Sequence, residues 1–364
     1  MRIGIITMHK VLNCGSALQA YALQRKLQQM GYESEIIDYK YEDKGGRKSL
    51  KASITAFIRN ALFGFPESRM KRKFKAFYRQ NLALTKESYD RESIVKDPPL
   101  CDLYIAGSDQ VWNPRFIGDD VNFLLAFAPP KARRISYASS IAAGSLDEGL
   151  KESYARQLSR FSAISVRERS GVKIIKELTG KDARVCCDPT LLLGREDWDV
   201  LAARSKYRTG EKYILVYALS YMFDPFPQIY GIVDKVQKTL GLKVIFLQGR
   251  AKDVFRPESK LIKSAGPEDF AFLFKHAEFV ITTSFHGAAF ALIYEKPLIG
   301  VVDSGSGSDS RIRSLLEEVS AGDSVYDYRD TPELDRDALL RLKGKKEALD
   351  KLIRDSARYL EENL

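Results

Sequence analysis

The fold can be inferred from one segment of the chain, Val280-Ile281-Thr282-Thr283-Ser284-Phe285-His286-Gly287-Ala288-Ala289-Phe290-Ala291-Leu292. Its apolar start passes through small hydroxyl residues into a helical pattern, which predicts a buried strand, a tight turn and a helix N-terminus. In an open parallel sheet such a turn lies at the edge where ligands bind, and the free N–H groups of a helix N-terminus favour an anion. His286, one of three histidines, lies in the first turn of this helix and is the leading candidate for proton transfer. The neighbouring candidate substrate-binding residues are Thr283, Ser284 and Gly287.

A β-loop-α-β pattern opens the chain. The pattern predicts a strand from Arg2 to Thr7, a helix from Ser16 to Met30 and a second strand from Glu33 to Tyr39. This order is typical of a doubly wound α/β domain, whose first loop lies on the ligand edge. The candidate substrate-binding residues of that loop are Asn13, Gly15 and Ser16. Alternatively, Asn13 or Ser16 only caps the helix.

A second polar loop follows the predicted strand from Asp102 to Ala106. Asp109 can accept a proton from a hydroxyl group, and Trp112 can present its ring to a sugar. The other candidate substrate-binding residues here are Ser108, Gln110 and Asn113. The alternative is an Asx turn with Trp112 packed in the core.

Two arginines are candidate anion ligands. Arg167 follows a predicted strand from Ala163 to Val166 and can bind a carboxylate or phosphate through two hydrogen bonds. Its alternative role is a surface ion pair with Glu168 or Asp188. Arg311 opens a helix after a glycine- and serine-rich loop that starts at Asp303, which suits a lid over an anionic substrate or, alternatively, a solvated linker.

The positive charge of the chain is concentrated in one region. The net charge is +10, and the stretch from Lys40 to Arg79 contains twelve Lys or Arg residues and three acids. We predict a basic helical insertion at about 40–80, which either contacts an anionic membrane surface peripherally or packs as a solvated helix. Nucleic acid is not expected as a partner, because no aromatic and glycine pattern of an RNA-binding sheet accompanies the charge.

Composition bounds the location and the metal chemistry. No apolar run approaches the roughly 20 residues that cross a bilayer, and the first residues resemble a strand, so we expect a cytoplasmic protein, either free in the cytoplasm or peripheral at the inner face of the membrane. The four cysteines have no C-x-x-C spacing, so no metal site is expected.

The predicted elements form an α/β fold with two Rossmann-like domains that face each other across a cleft. We place an N-terminal domain at 1–193, a C-terminal domain at 194–325 and helices that pack back on the body at 326–364. The boundary lies near residue 193, where the pattern resets before a new helix.

Several motifs in a fixed order resemble the polysaccharide pyruvyl transferase family. They are Asn13-x-Gly15-Ser16-Ala17-Leu18-Gln19-Ala20-Tyr21, Gly107-Ser108-Asp109-Gln110-Val111-Trp112-Asn113, Val166-Arg167-Glu168, Asp188-Pro189-Thr190, Ser284-Phe285-His286-Gly287 and Ser310-Arg311-Ile312. The resemblance implies a fold similar to the glycosyltransferase B type. It also implies that phosphoenolpyruvate donates a pyruvyl group, without a further cofactor, to two hydroxyls of a sugar or lipid-linked saccharide of a surface polysaccharide.

The chemistry of this reaction suggests roles for individual residues. His286 resembles the motif histidine of the family and is our candidate acid, Asp109 is the candidate base, and Arg167 and Arg311 are candidate ligands of the anion. Pyruvylating members commonly have arginine where this chain has Ser284, so another arginine must enter the site for strong anion binding. Two alternatives stay open: a glycosyltransferase that uses a nucleotide-activated sugar, and a non-catalytic component of an assembly that binds a saccharide or phosphate.

Overall fold

Two parallel β-sheets flanked by helices form the framework of the chain. The computed structural model describes residues 1–40, 66–220, 222–305, 310–331, 333 and 335–364. The first sheet has the order β3-β2-β1-β4-β5, and the second has the order β10-β9-β8-β11-β12-β13. The strands are β1 (Arg2–Ile6), β2 (Glu33–Tyr39), β3 (Leu84–Tyr89), β4 (Leu103–Ala106), β5 (Arg133–Ser136), β6 (Ser165–Val166), β7 (Arg184–Val185), β8 (Tyr213–Tyr217), β9 (Lys243–Leu247), β10 (Ser259–Ile262), β11 (Phe279–Thr282), β12 (Leu298–Val302) and β13 (Val325–Asp327).

Helices connect the strands in the manner of doubly wound domains. Those of the first half are α1 (Cys14–Gln29), α2 (Pro66–Asn81), α3 (Ser93–Lys96), α4 (Pro114–Ile117), α5 (Glu148–Leu158) and α6 (Arg169–Thr179). Those that follow are α7 (Arg195–Ala202), α8 (Ile229–Leu240), α9 (Pro267–His276), α10 (Phe285–Ile293), α11 (Ser310–Glu318), α12 (Arg336–Arg341) and α13 (Lys346–Asn363). Short 3₁₀ helices lie at Val121–Leu124, Pro189–Leu191, Ala251–Phe255 and Gly322–Ser324. The predicted α/β fold with two Rossmann-like sheets is confirmed.

The two halves share one continuous apolar core. The ring of Trp198 on α7 lies 4.8 Å from the ring of Phe290 on α10 and 5.9 Å from that of Tyr21 on α1. All three rings belong to the same cluster of packed hydrophobic residues. The first half is therefore held directly against the second half beside the N-terminal parts of α1 and α10.

The helix α13 returns to the first half. The hydroxyl of Tyr359 donates to the carbonyl of Ser136 at the end of β5 over 2.9 Å, and Ser356 Oγ accepts from the amide of Cys187 over 2.8 Å. The side chains of Tyr359 and Leu360 are buried there. The exact domain boundaries stay a prediction.

The predicted basic insertion is partly described. Its residues 41–65 lie outside the described part of the chain, and its remainder forms α2 with Phe74 and Phe77 buried on one side. A search of the described residues for a membrane-spanning helix, one both long and apolar enough to cross a bilayer, finds none.

Candidate active site

His286 lies in the first turn of α10, where the preceding turn is held by its own hydroxyl groups. Ser284 caps the helix by accepting from the amide of Gly287 over 3.4 Å, and its own amide donates to Thr282 Oγ1 over 3.0 Å. A Cβ at Gly287 would lie 2.2 Å from Thr282 Oγ1, so only glycine permits this close approach. Thr283 Oγ1 bonds to the backbone of Leu219 after β8. The turn is therefore rigidly tied to the carboxyl end of the sheet.

The first half reaches His286 through the N-terminus of α1. A Cβ built at Gly15 would lie 2.1 Å from Nδ1 and 2.3 Å from Cγ of His286. Glycine is required at this position because the imidazole packs directly on the helix backbone. The N-termini of α1 and α10 thus meet at His286, and each contributes free backbone N–H groups and a partial positive charge.

Asp188 is the carboxylate at the centre of the cluster. It is completely buried, and its Oδ2 accepts from Arg167 Nη1 over 2.8 Å and from Ser108 Oγ over 3.1 Å. The other oxygen accepts from the amide and hydroxyl of Thr190. Burial alone would raise the pKa of Asp188, but the adjacent His286 and Arg167 outweigh it and hold the pKa well below its usual range. Asp188 is therefore a stable buried anion.

The side chains of His286 and Arg167 face this anion and have nitrogen atoms without a hydrogen-bond partner. His286 Nε2 lies 3.5 Å from Asp188 Oδ2, too far for a strong hydrogen bond, and the Arg167 guanidinium lies 4.2 Å above the Phe285 ring. Among the described residues, His286 Nε2 and Arg167 Nε and Nη2 have no hydrogen-bond partner. Because His286 is 6% exposed and Arg167 5%, water does not readily satisfy these donors. They are available to a ligand that enters between the halves.

Asp109 approaches the same cluster from the loop after β4. One of its oxygens accepts a short hydrogen bond from Ser16 Oγ on α1, and the other lies 3.8 Å from Arg167 Nη2. The backbone of Asp109 has a φ of 70°, in the left-handed region that non-glycine residues seldom adopt. The loop therefore holds Asp109 in an unfavourable backbone conformation, with its carboxylate directed towards Arg167.

The structure brings together His286, Gly15, Ser16, Ser108, Asp109 and Arg167 from the predicted set. Asn13 caps α1 by accepting from the amide of Ser16, and Gln110 Oε1 accepts from the amide of the Asn113 side chain. Arg311 is buried in the first turn of α11, and no hydrogen bond or ion pair joins it to His286 within the described residues. Residues 306–309 of the predicted lid are outside the described part of the chain.

The prediction for Trp112 is wrong. Its ring is completely buried, packs 5.8 Å from the ring of Phe161, and donates from Nε1 to the carbonyl of Phe123. An indole whose N–H already has a core acceptor gains more from burial than from facing a cleft. Trp112 is therefore part of the core, which was the alternative interpretation.

The ion pair considered between Arg167 and Asp188 is present, but it is buried and does not lie at the surface as that alternative expected. Sequence reasoning missed Asp188 as a member of the site. The available signal was its position after a short strand and before Pro189, where an aspartate caps a 3₁₀ helix at a sheet edge.

A small cavity lies against one side of the cluster. The cavity beside Arg167, Asp188 and Phe285 has a volume of ≈ 10 Å³, which is too small for a substrate. No group of side chains suited to a metal ion is found in the described residues. Because neither His286 nor Asp109 lines this cavity, it is not the space that a substrate would occupy between them.

Comparison with known proteins identifies both a family and a fold. The family model for polysaccharide pyruvyl transferase matches residues 13–305. No curated protein matches the chain. The UDP-GlcNAc 2-epimerase of Methanocaldococcus jannaschii in complex with UDP-GlcNAc and UDP is 13% identical with a TM-score of 0.56, over 100% of this chain and 99% of that one. The S. aureus MnaA-UDP co-structure is 13% identical with a TM-score of 0.56, over 99% of this chain and 96% of that one. These two likenesses show a glycosyltransferase B type fold.

Proposed function

This chain belongs to the polysaccharide pyruvyl transferase family, and on that premise we propose that it transfers a pyruvyl group from phosphoenolpyruvate to two hydroxyls of a sugar. The family supports a transferase. The acceptor in this proposal is a residue of a surface polysaccharide or of its lipid-linked precursor. The cytoplasm is the expected location, because phosphoenolpyruvate is a cytoplasmic metabolite.

One observation carries the proposal: buried nitrogen atoms of His286 and Arg167 that lack hydrogen-bond partners lie where two helix N-termini meet. His286 Nε2 and Arg167 Nε and Nη2 make no hydrogen bond with a described residue, and α1 and α10 both begin beside them. Phosphoenolpyruvate carries a phosphate and a carboxylate, which are the groups that arginine and helix N-termini bind best. A buried donor that lacks a partner costs free energy until a ligand satisfies it.

The charges of the cluster also determine how much additional positive charge an anionic ligand needs for binding. Asp188 and Asp109 offset the charges of Arg167 and a protonated His286, so the cluster alone is close to neutral. A multiply charged donor therefore draws on the helix N-termini and, in this proposal, on Arg311 brought in by the loop before α11. Arg167 lies on the ring of Phe285, the residue after Ser284, and in this proposal it supplies the guanidinium that pyruvylating relatives carry at position 284.

The proposed chemistry balances with these groups. His286 donates a proton to the methylene carbon of phosphoenolpyruvate, and a sugar hydroxyl oxygen forms a bond to the adjacent carbon while Asp109 accepts its proton. A second hydroxyl of the same sugar then forms a bond to that carbon, and the carbon–oxygen bond to phosphate breaks. The products are a cyclic ketal and inorganic phosphate. The proton that Asp109 takes from the first hydroxyl balances the proton that His286 donates to the methylene carbon. The proton of the second hydroxyl leaves with phosphate.

Phosphate release tests the proposal directly. Wild-type protein is incubated with phosphoenolpyruvate and a panel of sugar acceptors, and the ketal methyl group of the product is identified by NMR. His286→Ala should lower turnover by about 10²–10⁴-fold, as expected for loss of a general acid. His276→Ala removes an exposed histidine at the end of α9 and is the matched control, which should retain activity.

Two results would oppose this function. Absence of phosphate release from the wild type across the whole panel removes its support, and full activity of His286→Ala removes the assigned acid. Calorimetric titration with UDP and UDP-GlcNAc separates the nucleotide-sugar alternative, which requires binding of at least one of them.

A further inference from the structure

The helix α2 lies against the ligand edges of both halves. The hydroxyl of Tyr78 donates to the carbonyl of Val11, in the loop that connects β1 to Gly15, over 3.0 Å. Nearer the start of α2, Lys73 Nζ forms a 2.6 Å ion pair with Asp269, in the first turn of α9 after β10. Because both contacts follow the carboxyl ends of parallel strands, α2 borders the opening between the halves.

Opposite sides of α2 have opposite character. Phe74 and Phe77 are buried and pack into the core shared by the two halves. Arg72, Lys75 and Arg79 are all exposed, and their i, i+3 and i+7 spacing places them together on the outward face. Glu67 in the first turn of α2 is paired with Lys71, and the outward face beyond it carries only cations among its charged residues. Since the apolar side of α2 is already packed within the protein, α2 offers a cationic surface and no inserting edge.

This surface belongs to the region that holds most of the excess charge of the chain. The whole sequence contains 58 Lys or Arg and 48 Asp or Glu, whereas the stretch from Lys40 to Arg79 contains twelve cations and three acids. The helix α13 provides a contrast, because acids alternate with its exposed cations. A negatively charged surface attracts a helix face of concentrated positive charge more strongly than a face on which positive and negative charges alternate.

We propose that the face of Arg72, Lys75 and Arg79 docks the protein on an anionic phospholipid surface by electrostatic attraction without insertion. An exposed cationic helix face without an aromatic side chain provides no platform on which nucleic acid bases stack, so the observations favour lipid over nucleic acid. Docking through α2 turns the opening between the halves towards the membrane. If the proposed function holds, a lipid-linked acceptor meets the site from that direction.

Vesicle sedimentation tests the docking. Full-length protein is pelleted with phosphatidylcholine vesicles that contain phosphatidylglycerol, and with pure phosphatidylcholine vesicles, at low and at high salt. Binding should require phosphatidylglycerol and decline with salt, because salt screens exposed charges. The triple variant Arg72→Gln, Lys75→Gln, Arg79→Gln should lower partitioning by about 100-fold through the loss of three cations.

A matched control exists on α13. Lys351, Arg354 and Arg358 have the same i, i+3 and i+7 spacing and are likewise exposed, so their triple change to Gln removes equal charge from another helix. The control should bind vesicles like the wild type. Phosphate release with a soluble acceptor should be equal in all three proteins, which separates a failure of docking from a failure of the proposed function.

Three outcomes would overturn the docking proposal. One is wild-type protein that stays in the supernatant with anionic vesicles at low salt. Another is an equal loss of binding in the α13 control, since a non-specific charge effect then explains the attraction. The third is retention of an RNA or DNA oligonucleotide by the wild type at a salt concentration that releases it from vesicles.

Discussion

The contact between Gly15 and His286 leads to a quantitative expectation for Gly15→Ala. The new Cβ would lie 2.1 Å from His286 Nδ1, whereas ordinary van der Waals contact begins at 3.4 Å. The obstacle is an imidazole at a helix N-terminus, not the end of a flexible side chain. The variant must therefore displace the ring or separate α1 from α10 by roughly 1 Å.

Two opposing contributions determine how much the free energy of unfolding changes in Gly15→Ala. Overpacking of this kind costs about 1–3 kcal/mol. Alanine in a helix regains at most about 1 kcal/mol over glycine. We therefore expect the free energy of unfolding to fall by about 1–2 kcal/mol. Activity should fall further, by about 100-fold in kcat/KM, because a displacement of roughly 1 Å in the acid misaligns it with the methylene carbon.

Denaturant unfolding and phosphate release measure the two effects, and Gly149→Ala is the matched control. Gly149 is also the second residue of its helix, α5, and a Cβ there meets nothing within 4 Å. The control should gain up to about 1 kcal/mol and keep full activity. If Gly15→Ala behaves like Gly149→Ala in both assays, then Gly15 and His286 do not pack together in the working protein.

Other variants and reagents test further features. Asp188→Asn should cost about 3–5 kcal/mol at pH 7 by leaving Arg167 buried without its anion. Since the folded-state pKa of Asp188 is lowered, its contribution to stability is present above about pH 4 and is lost in acid. The difference in unfolding free energy between variant and wild type should therefore shrink as the pH falls below about 4. A difference that stays constant with pH would contradict this. Trp112→Ala should lower stability by about 3–5 kcal/mol, and a rise in KM for the acceptor in the stable Trp112→Phe variant would contradict its assignment to the core. Burial raises the pKa of Cys186 to about 11 and that of Cys187 to about 12, so mass spectrometry after iodoacetamide treatment at pH 8 should find both thiols unmodified in native protein.

The features that sequence predicted well are local ones. The turn before His286 follows from small hydroxyl residues between a buried strand and a helix, because a serine in that position caps the helix regardless of its surroundings. The choice of His286, Asp109 and Ser16 followed from the rule that ligand sites lie at the carboxyl edge of parallel strands. The structure places these three residues in one cluster, while their roles in the reaction stay a proposal.

The features that sequence missed depend on how the halves meet. Asp188 joins Arg167 of its own half to His286 of the other, and no local pattern encodes the closure that brings them together. The prediction for Trp112 was wrong for a related reason. A position after a strand indicates at which edge of the sheet a residue lies, but not the direction of its side chain. The indole of Trp112 packs into the core because the Phe123 carbonyl accepts its N–H and the Phe161 ring contacts it there.

The return of α13 to the first half has a consequence for biosynthesis. The ribosome completes the strands of the first half long before it reaches Ser356 and Tyr359. Those two residues supply the acceptor for the amide of Cys187 and, beside Ser165 of the first half, a second donor to the carbonyl of Ser136 at the end of β5. A nascent first half therefore emerges with part of its core exposed and waits for the second half to be translated.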